Sequence, residues 1–347
     1  MHQFYCPSLG AGGLYLRQFM QVHRNIQNLP KFRNAVVTIG TFDGVHTGHQ
    51  QIIAQLKQEA TLVNGETVII TFHPHPRKIV SLKPLYILNT LSEKIELLKA
   101  KGIDHLVVVP FDDGFAQQSA EAYVKNFLLK KFHPHTVIIG YDHRFGKGRQ
   151  GDYHSLEDYG KQLGFIVKEI PEHVLNNITV SSTRIRESLL NCDIATANNY
   201  LGYNYFFEGT VVEGNKLGRT IGYPTANIQV EETEKLIPGN GVYVVGAGIS
   251  TQQSAISENR NSSQLTAHNS QFFNGMMNIG VRPTVDGTRR MIEVNIFDFD
   301  EDIYGQTIRV YVRHYLRGEV KFNSLYALKD QLAKDKDAAH EWLLKAE

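Results

Sequence analysis

Two histidines three residues apart, His46 and His49, sit in the decapeptide Gly40-Thr41-Phe42-Asp43-Gly44-Val45-His46-Thr47-Gly48-His49. Imidazoles at this spacing, with Gly48 giving a ligand access to the backbone, can donate hydrogen bonds to phosphoryl oxygens as charge builds on a leaving group. Taken alone, a histidine pair also suits a surface coincidence or a weak metal site. Its position adds the missing information. The motif follows a buried-strand pattern, Val36 to Ile39, and opens a helix pattern, His49 to Glu59, the junction at which free backbone N–H groups attract anions. A second candidate clamp is Ser181-Ser182-Thr183-Arg184-Ile185-Arg186, where hydroxyls cap a helix and arginine forks reach phosphate oxygens. The same hexapeptide could be a plain N-cap with solvated arginines. A third segment, Gly140-Tyr141-Asp142-His143-Arg144-Phe145-Gly146, leaves the carboxyl end of a strand, where a second substrate belongs in a doubly wound sheet.

Another constellation lies further on. Gly209, Gly214, Gly218 and Gly222 fall within fourteen residues, with Lys216 and Arg219 among them. Such a loop can fold over phosphates, although a glycine-rich hairpin would have the same composition. Pro224 then fixes the chain ahead of Thr225 and Asn227, whose oxygen-bearing side chains point the same way on extended backbone and suit Mg²⁺ with phosphates as further ligands. Glu293 interrupts the apolar run Met291 to Phe297, on one face with Asn295 and Phe297. Facing a nucleotide loop it would be a general base for a hydroxyl attacking a γ-phosphate; otherwise it is a solvated outer-face carboxylate.

The elements that must position these residues come in two kinds. Strand patterns at Val36–Ile39, Thr67–Phe72, His105–Val109, Thr136–Ile139 and Phe165–Ile170 alternate with helix patterns at His49–Glu59, Thr90–Lys101, Ser119–Lys131 and Leu156–Leu163, with Ser92 as the expected cap of the second helix. Strands apolar on both faces and separated by helices predict a doubly wound parallel sheet. After Leu201, strand patterns at Phe206–Glu213, Gly241–Ala247, Gly275–Val281, Arg290–Phe297 and Thr307–Tyr315 follow one another through glycine-rich turns without helix-length insertions, as in an antiparallel sheet or barrel. An amphipathic helix, Leu325–Leu344, closes the chain. The boundary falls in a short helical linker within Arg186–Tyr203, giving domains 1–186 and 187–347. The polar stretch Ser250–Gln271 reads as a flexible hairpin loop without chemistry.

The 347 residues carry 36 Lys+Arg against 35 Asp+Glu, with 42% hydrophobic and 20% charged residues, which excludes a disordered polyelectrolyte and a generally basic nucleic-acid binder. The balance is uneven. Residues 187–347 hold 15 basic and 20 acidic side chains, a net of −5, leaving +6 for residues 1–186. The 2 cysteines, Cys6 and Cys192, are too few for a disulfide framework and read as reduced thiols. No apolar run is long enough for a membrane span and the N-terminal residues lack an export-signal pattern, so a cytoplasmic location without membrane or nucleic-acid partners is expected. His73, His75, His133 and His135 bracket prolines in pairs; without a third ligand type they are expected to line or support structure rather than hold zinc.

Together these motifs resemble the bacterial bifunctional riboflavin kinase/FAD synthetase family. The first histidine motif, Thr71-Phe72-His73-Pro74-His75-Pro76, the Gly140–Gly146 segment and Ser181–Arg186 resemble its adenylyltransferase module. Pro224-Thr225-Ala226-Asn227, Asn278–Thr284, Asp298–Gly305 and Phe322–Leu325 resemble its kinase module. The likeness runs over about residues 20–345. It implies an α/β nucleotidylyltransferase-like domain followed by a six-stranded antiparallel β-barrel and a C-terminal helix. It also implies two ATP-dependent reactions, riboflavin to FMN and FMN to FAD, with Mg²⁺ as cofactor. Under the resemblance, Gly40, Thr41, Phe42, Asp43, Gly48, Ser182, Thr183, Arg184, Gly214, Lys216, Gly218 and Arg219 bind ATP. His46, His49, Arg186 and Glu293 are catalytic, Asp142 and Phe145 face the flavin, and Thr225 and Asn227 hold the metal. Three features depart from the family pattern: Asn295 in place of an expected histidine, the insertion-like Ser250–Gln271, and residues 1–19, whose deletion is expected to spare both activities. The rival readings are transfer to another phosphate ester beside a passive barrel, a flavin sensor, and a nucleic-acid-binding barrel; the last conflicts with the net −5.

Overall fold

The computed structural model describes residues 19–81, 84–170, 180–214, 217–250, 270–284 and 287–346. Residues 1–18, residues 251–269 of the polar stretch and Lys216 therefore lie outside the described residues. The chain forms two compact units. The described parts of Met1–Thr41, Ile52–Val80 and Ile95–Ile170 make up one, and those of Phe42–Gln51, Ser81–Lys94 and Pro171–Glu347 the other.

The first unit is built on strands β1 (Gln21–His23), β2 (Val36–Ile39), β3 (Thr67–His73), β4 (His105–Pro110), β5 (Thr136–Gly140) and β6 (Ile166–Ile170). They form one sheet in the order β1-β4-β3-β2-β5-β6, parallel at every pairing. β2 to β5 are runs rich in Val, Ile, Leu and Thr whose central residues are buried on both faces, as helix-covered parallel strands must be. The expectation that every strand is apolar on both faces fails at β6, where Ile166, Lys168 and Glu169 are exposed because the strand is an edge with a single neighbour. β1 is too short for any periodicity to reveal it.

The longer helices of this region are α1 (Thr47–Leu62), α2 (Leu91–Ala100), the composite α3 and α4 (Tyr153–Leu163). α3 runs from Ala120–Ala122 through a π-helical stretch, Tyr123–Leu129, to Lys130–Phe132. The cap of α2 is Thr90 rather than Ser92. The Glu93 N–H donates to Thr90 Oγ1 (3.2 Å) while the Thr90 N–H donates to Glu93 Oε2 (2.8 Å), a reciprocal capping box. Phe127, Phe132 and Leu156 pack on one sheet face against Val37, Ile39, Val68, Ile70 and Val137.

In the second unit the expected helical linker is a pair of helices, α5 (Ser182–Leu190) and α6 (Ile194–Leu201). Six strands follow: β7 (Phe206–Val212), β8 (Ala226–Gln229), β9 (Gly241–Ser250), β10 (Ser270–Thr284), β11 (Gly287–Ile296) and β12 (Thr307–Arg317). They close into an antiparallel barrel in the order β10-β11-β8-β7-β12-β9. β8, read from sequence only as extended backbone after Pro224, is the strand that completes the closure. One turn of helix, Leu217–Thr220, lies within the glycine-rich loop. The barrel interior is apolar, with Phe207, Tyr243, Met277, Val294 and Val310 fully or nearly fully buried. α7 (Leu325–Ala346) lays Ala339 and Leu343 against Val244, Met276 and Phe297. Its Asp335 is buried and receives two hydrogen bonds from Arg317, Nε to Oδ1 at 2.7 Å and an Nη to Oδ2 at 2.6 Å.

Candidate active sites

Gly40 follows β2 and its N–H donates to the Ile70 carbonyl (3.0 Å), and the Thr41 carbonyl accepts from Thr71 Oγ1 (3.0 Å). The chain that follows belongs to the second unit and is bent sharply. Phe42 and Val45 have φ of 47° and 38°, left-handed values that are costly for bulky and β-branched side chains, and Gly44 lies at 89°. A Cβ on Gly44 would stand 2.8 Å from Leu88 Cδ1, so glycine is required there twice over. Phe42, an expected ATP-binding residue, is 1% exposed with its ring 4.9 Å from that of His49; its side chain is core.

His46 precedes α1 and caps it, its Nδ1 accepting the His49 N–H at 3.4 Å. That role places the ring proton of His46 on Nε2. The two imidazoles stack, centroids 3.7 Å apart and planes at 18°. Burial drives both toward the neutral form. It lowers the His46 pKa to about 4, against a smaller upward pull from Asp43, and holds His49 well below its ordinary value, aided by His46 and Lys94. Lys94 is itself buried and lowered for the same reason, with Asp43 opposing. His49 Nδ1 is buried and has no hydrogen-bond partner among the described residues, an orphan that a ligand donor or acceptor would satisfy.

Asp43, expected at ATP, is 1% exposed and fully engaged by protein. Its carboxylate accepts from the Leu88 N–H (3.0 and 3.2 Å) and the Asn89 N–H (3.2 Å) and pairs with the Arg186 guanidinium. Arg186 Nε also donates to the Tyr86 carbonyl (2.7 Å), and Ser182 Oγ donates to the Asp43 carbonyl (2.9 Å). Tyr203 adds a hydrogen bond to the Gly44 carbonyl at 2.6 Å. Thus Ser182 and Arg186 meet the histidine loop as expected, but as ties to Asp43. Thr183 and Arg184 stand exposed at the start of α5, whose cap is Ser181. The partners of Asp43 and Gly44 lie 45 to 159 residues away, and no local spacing announces them.

In the first unit, Asp142 is exposed, while Phe145 is 5% exposed and stacks on Tyr123 (5.1 Å) and His143 (6.2 Å). Phe145 therefore supports the segment that presents Asp142. His133 ends α3 in a left-handed conformation and His135 Nδ1 meets Thr136 Oγ1 at 2.9 Å. Among the described residues no three His, Cys, Asp or Glu side chains are placed to hold a metal ion together.

The barrel holds a cavity of about 260 Å³ lined on its polar side by Thr225, Asn227, Glu293, Asn295 and the Arg317–Asp335 pair. Tyr223, Met276, Leu328 and Leu332 give it an apolar wall suited to a flat ring system. Glu293 lies directly opposite Asn227 in the β11–β8 ladder, which sets carboxylate and carboxamide side by side. Asn227 is 6% exposed and its Oδ1 has no hydrogen-bond partner among the described residues. A buried carbonyl oxygen left unbonded beside Thr225 fits a hard cation that takes oxygen ligands. Gly214 is needed here, because a Cβ would overlap the Asn227 carboxamide. Gly218 and Arg219 lie in the one-turn helix of the same loop, with Gly218 at the cavity. Asn295, the departure from the family pattern, donates Nδ2 to the Pro224 carbonyl at 2.6 Å and so fixes the residue before Thr225. Sequence reading missed Arg317 and Asp335. The available signal was a carboxylate in the apolar stripe Leu328, Leu332, Asp335, Ala339 of the last helix.

Residues 29–184 match the family model described as FAD synthetase, and residues 201–343 the model described as riboflavin kinase. The bifunctional riboflavin kinase/FMN adenylyltransferase of Haemophilus influenzae is 37% identical over 323 residues, 92% of this chain and 98% of that protein. Its counterparts in Escherichia coli K12 (34% over 326 residues, 93% and 98%) and Listeria monocytogenes (36% over 317 residues, 90% and 94%) are similar over the same extent. A crystal structure from Streptococcus pneumoniae, described as a macrolide-efflux protein, is similar with a TM-score of 0.78 at 30% identity, covering 93% of this chain and 99% of that one. Among the described residues of the present chain, no helix is long and apolar enough to cross a membrane.

Proposed function

The chain belongs to the bifunctional riboflavin kinase/FMN adenylyltransferase family, and we propose that residues 187–347 phosphorylate riboflavin while residues 1–186 adenylylate the resulting FMN. The observation that carries the kinase reading is Glu293 set opposite Asn227, with the orphaned Asn227 Oδ1, at a cavity having one apolar wall. Glu293 takes the proton of the riboflavin 5′-hydroxyl as its oxygen attacks the γ-phosphorus of ATP, and ADP leaves. Thr225 and Asn227 would hold Mg²⁺ together with the ATP phosphates. When bound, that ion neutralises charge on the transferring phosphoryl group. Gly214, Lys216, Gly218 and Arg219 form the loop over the phosphates, and Asn295 keeps Thr225 in place through Pro224.

Adenylyl transfer requires no protein base. The FMN phosphate is already an anionic nucleophile; it attacks the α-phosphorus of ATP and pyrophosphate departs. Alignment and charge stabilisation are what the protein supplies. His46, with its proton on Nε2, and His49 donate to phosphate oxygens, joined by Thr183 and Arg184. Gly40, Thr41 and Gly48 supply backbone, and Phe42, Asp43, Ser182 and Arg186 fix the loop that carries the histidines. Asp142, braced by Phe145, faces the flavin.

The scheme is tested by incubating the full chain with riboflavin and MgATP and separating products by chromatography. The wild type makes FMN and FAD, His49→Ala makes only FMN, and Glu293→Gln makes no FMN yet converts supplied FMN to FAD. Normal FMN formation by Glu293→Gln refutes the base assignment.

A further inference from the structure

Residues 42–51 and 81–94 fall inside the region that matches the FAD synthetase model, yet they pack in the same compact unit as the barrel. Lys235, in the segment between β8 and β9, is one of the residues that join them, beside Ser182, Arg186 and Tyr203. It lies in the riboflavin kinase region and is 3% exposed. Its Nζ donates to Glu93 Oε2 at 2.5 Å and to the Leu88 carbonyl at 2.7 Å, and stands 4.7 Å from the centre of the Tyr205 ring. Backbone bonds run alongside: the Ile87 N–H to the Glu234 carbonyl at 2.8 Å, and the Leu236 N–H to the Ile87 carbonyl at 2.9 Å.

Two of the attachments of segment 87–93 matter here, beside the packing of Leu88 in the core and the Tyr203 bond to Asn89. One is the Lys235 edge; the other is Asp43, which accepts the Leu88 and Asn89 N–H groups and holds Arg186 and the start of the histidine loop. From these contacts we propose that Lys235, a residue of the kinase region, is a positioning residue for adenylyl transfer: through Glu93 and Leu88 it fixes the segment on which Asp43, and hence the His46–His49 loop, is seated. The inference rests on assigning that loop to the adenylyl transfer site. It makes the FAD-forming half depend on the barrel, whereas the kinase cavity uses none of these groups.

Nothing in the pair itself is reactive. Both charges are buried, and neither is tolerated alone in an apolar setting. Removing one partner displaces the segment, and sub-ångström to ångström shifts at a phosphoryl transfer centre cost about tenfold to a hundredfold in rate. Removing both charges relieves the unpaired group and leaves the backbone bonds intact, so coupling between the two substitutions is the signature of the role.

The test uses the full chain as Lys235→Met, as Glu93→Gln and as the double variant, assayed for FAD formation from supplied FMN and for FMN formation from riboflavin. Each single variant is expected to lose about tenfold or more in kcat for FAD formation, by the same positioning argument. FMN formation stays within about twofold, and the double variant recovers most of the loss, as coupled sites do. FAD formation near wild type in both single variants overturns the proposal. So does a parallel fall of both activities in both, or a double variant no better than the singles. His49→Ala separates the two ways of failing. Retained FAD formation there refutes the site assignment, and its loss there with normal single variants refutes the Lys235 coupling alone.

Discussion

Acidification combined with His46→Gln gives the most direct reading of the histidine loop. His46 is 7% exposed, and its pKa falls from 6.5 to about 4 on folding, chiefly through burial. Between those values the unfolded chain binds the proton and the folded chain does not, so stability must rise with pH across the window. It is fully present above about pH 6.5 and lost progressively as pH falls toward 4. At pH 4.5 the shift corresponds to about 2.5 kcal/mol from this one group. A structural event accompanies the titration: a proton on Nδ1 turns the acceptor of the His49 N–H into a donor, and the α1 cap is lost. The carboxamide introduced by the substitution cannot titrate, and removing His46 also lifts one of the repulsions on His49, so both effects flatten the variant's pH profile. The assay is urea unfolding at pH 7.5 and 4.5, followed by fluorescence of Trp342, the 1 tryptophan of the chain, which stacks on His314 in the same compact unit. The wild type should lose about 2.5 kcal/mol more than the variant on acidification, roughly 1 M in urea midpoint. Equal losses in the two proteins would show that His46 is not held neutral by the fold.

Two further outcomes follow from the barrel. Asn227→Leu removes a buried carbonyl oxygen with no partner among the described residues, so unfolding stability in urea should hold or rise, by up to about 1 kcal/mol, while FMN formation falls about a hundredfold or more. Chelating the divalent metal should do the same to the wild-type kinase; a variant that still phosphorylates riboflavin at the normal rate refutes the assignment. Asp335→Ala strips Arg317 of a buried two-point partner and should destabilise the Trp342 transition by about 3 kcal/mol, with Asp335→Glu recovering part of it. An unchanged midpoint would mean that α7 is held by its apolar contacts alone.

The periodic features were the legible ones. Val36–Ile39, Thr67–His73 and Thr136–Gly140 are β-branched runs whose burial on both faces needs no partner to be known in advance. β6 was misjudged because Lys168 and Glu169 interrupt an edge strand, and a list of apolar residues does not reveal which strand ends up at an edge. At α2 two hydroxyls compete for the cap, and Thr90 wins because its spacing to Glu93 allows the reciprocal bond. In the candidate sites, residue type and local spacing brought forward His46, His49, Thr225, Asn227 and Glu293. They could not separate ligand-facing members of a motif from supporting ones. Phe42, Asp43 and Phe145 belong to the motifs, but their side chains are buried among protein groups. Asp43 is marked as a supporting carboxylate by the N–H groups of Leu88 and Asn89 and by Arg186, which reach it across a chain separation of 45 residues or more. Lys235 and Glu93 are 142 residues apart and neither stands in a motif.

The opposite net charges of residues 1–186 and 187–347 take on a different meaning at the histidine loop. Residues 1–186 carry a net of +6, but a net charge does not say which cations face a ligand. Around His46 and His49 much of the cationic charge is spent within the protein: Arg186 is paired with Asp43, Lys235 with Glu93, and burial drives Lys94 and both imidazoles toward their neutral forms, while the exposed Arg184 is the cation assigned to the phosphates. Such an arrangement has a kinetic consequence. A fixed cation stabilises the triphosphate before, during and after transfer, and uniform stabilisation tightens binding without lowering the barrier. A neutral imidazole hydrogen bond strengthens as charge accumulates on the departing pyrophosphate, because the acceptor gains charge while the donor stays in place. Burial gives this bond a low-dielectric setting, and the ties from Asp43 remove the need to reorganise it. The left-handed backbone at Phe42 and Val45 is then explicable as strain held by those same ties. On this argument the loop's contribution lies in kcat rather than in affinity for ATP, so His46→Gln and His49→Ala should lower kcat for FAD formation while leaving KM for ATP nearly unchanged.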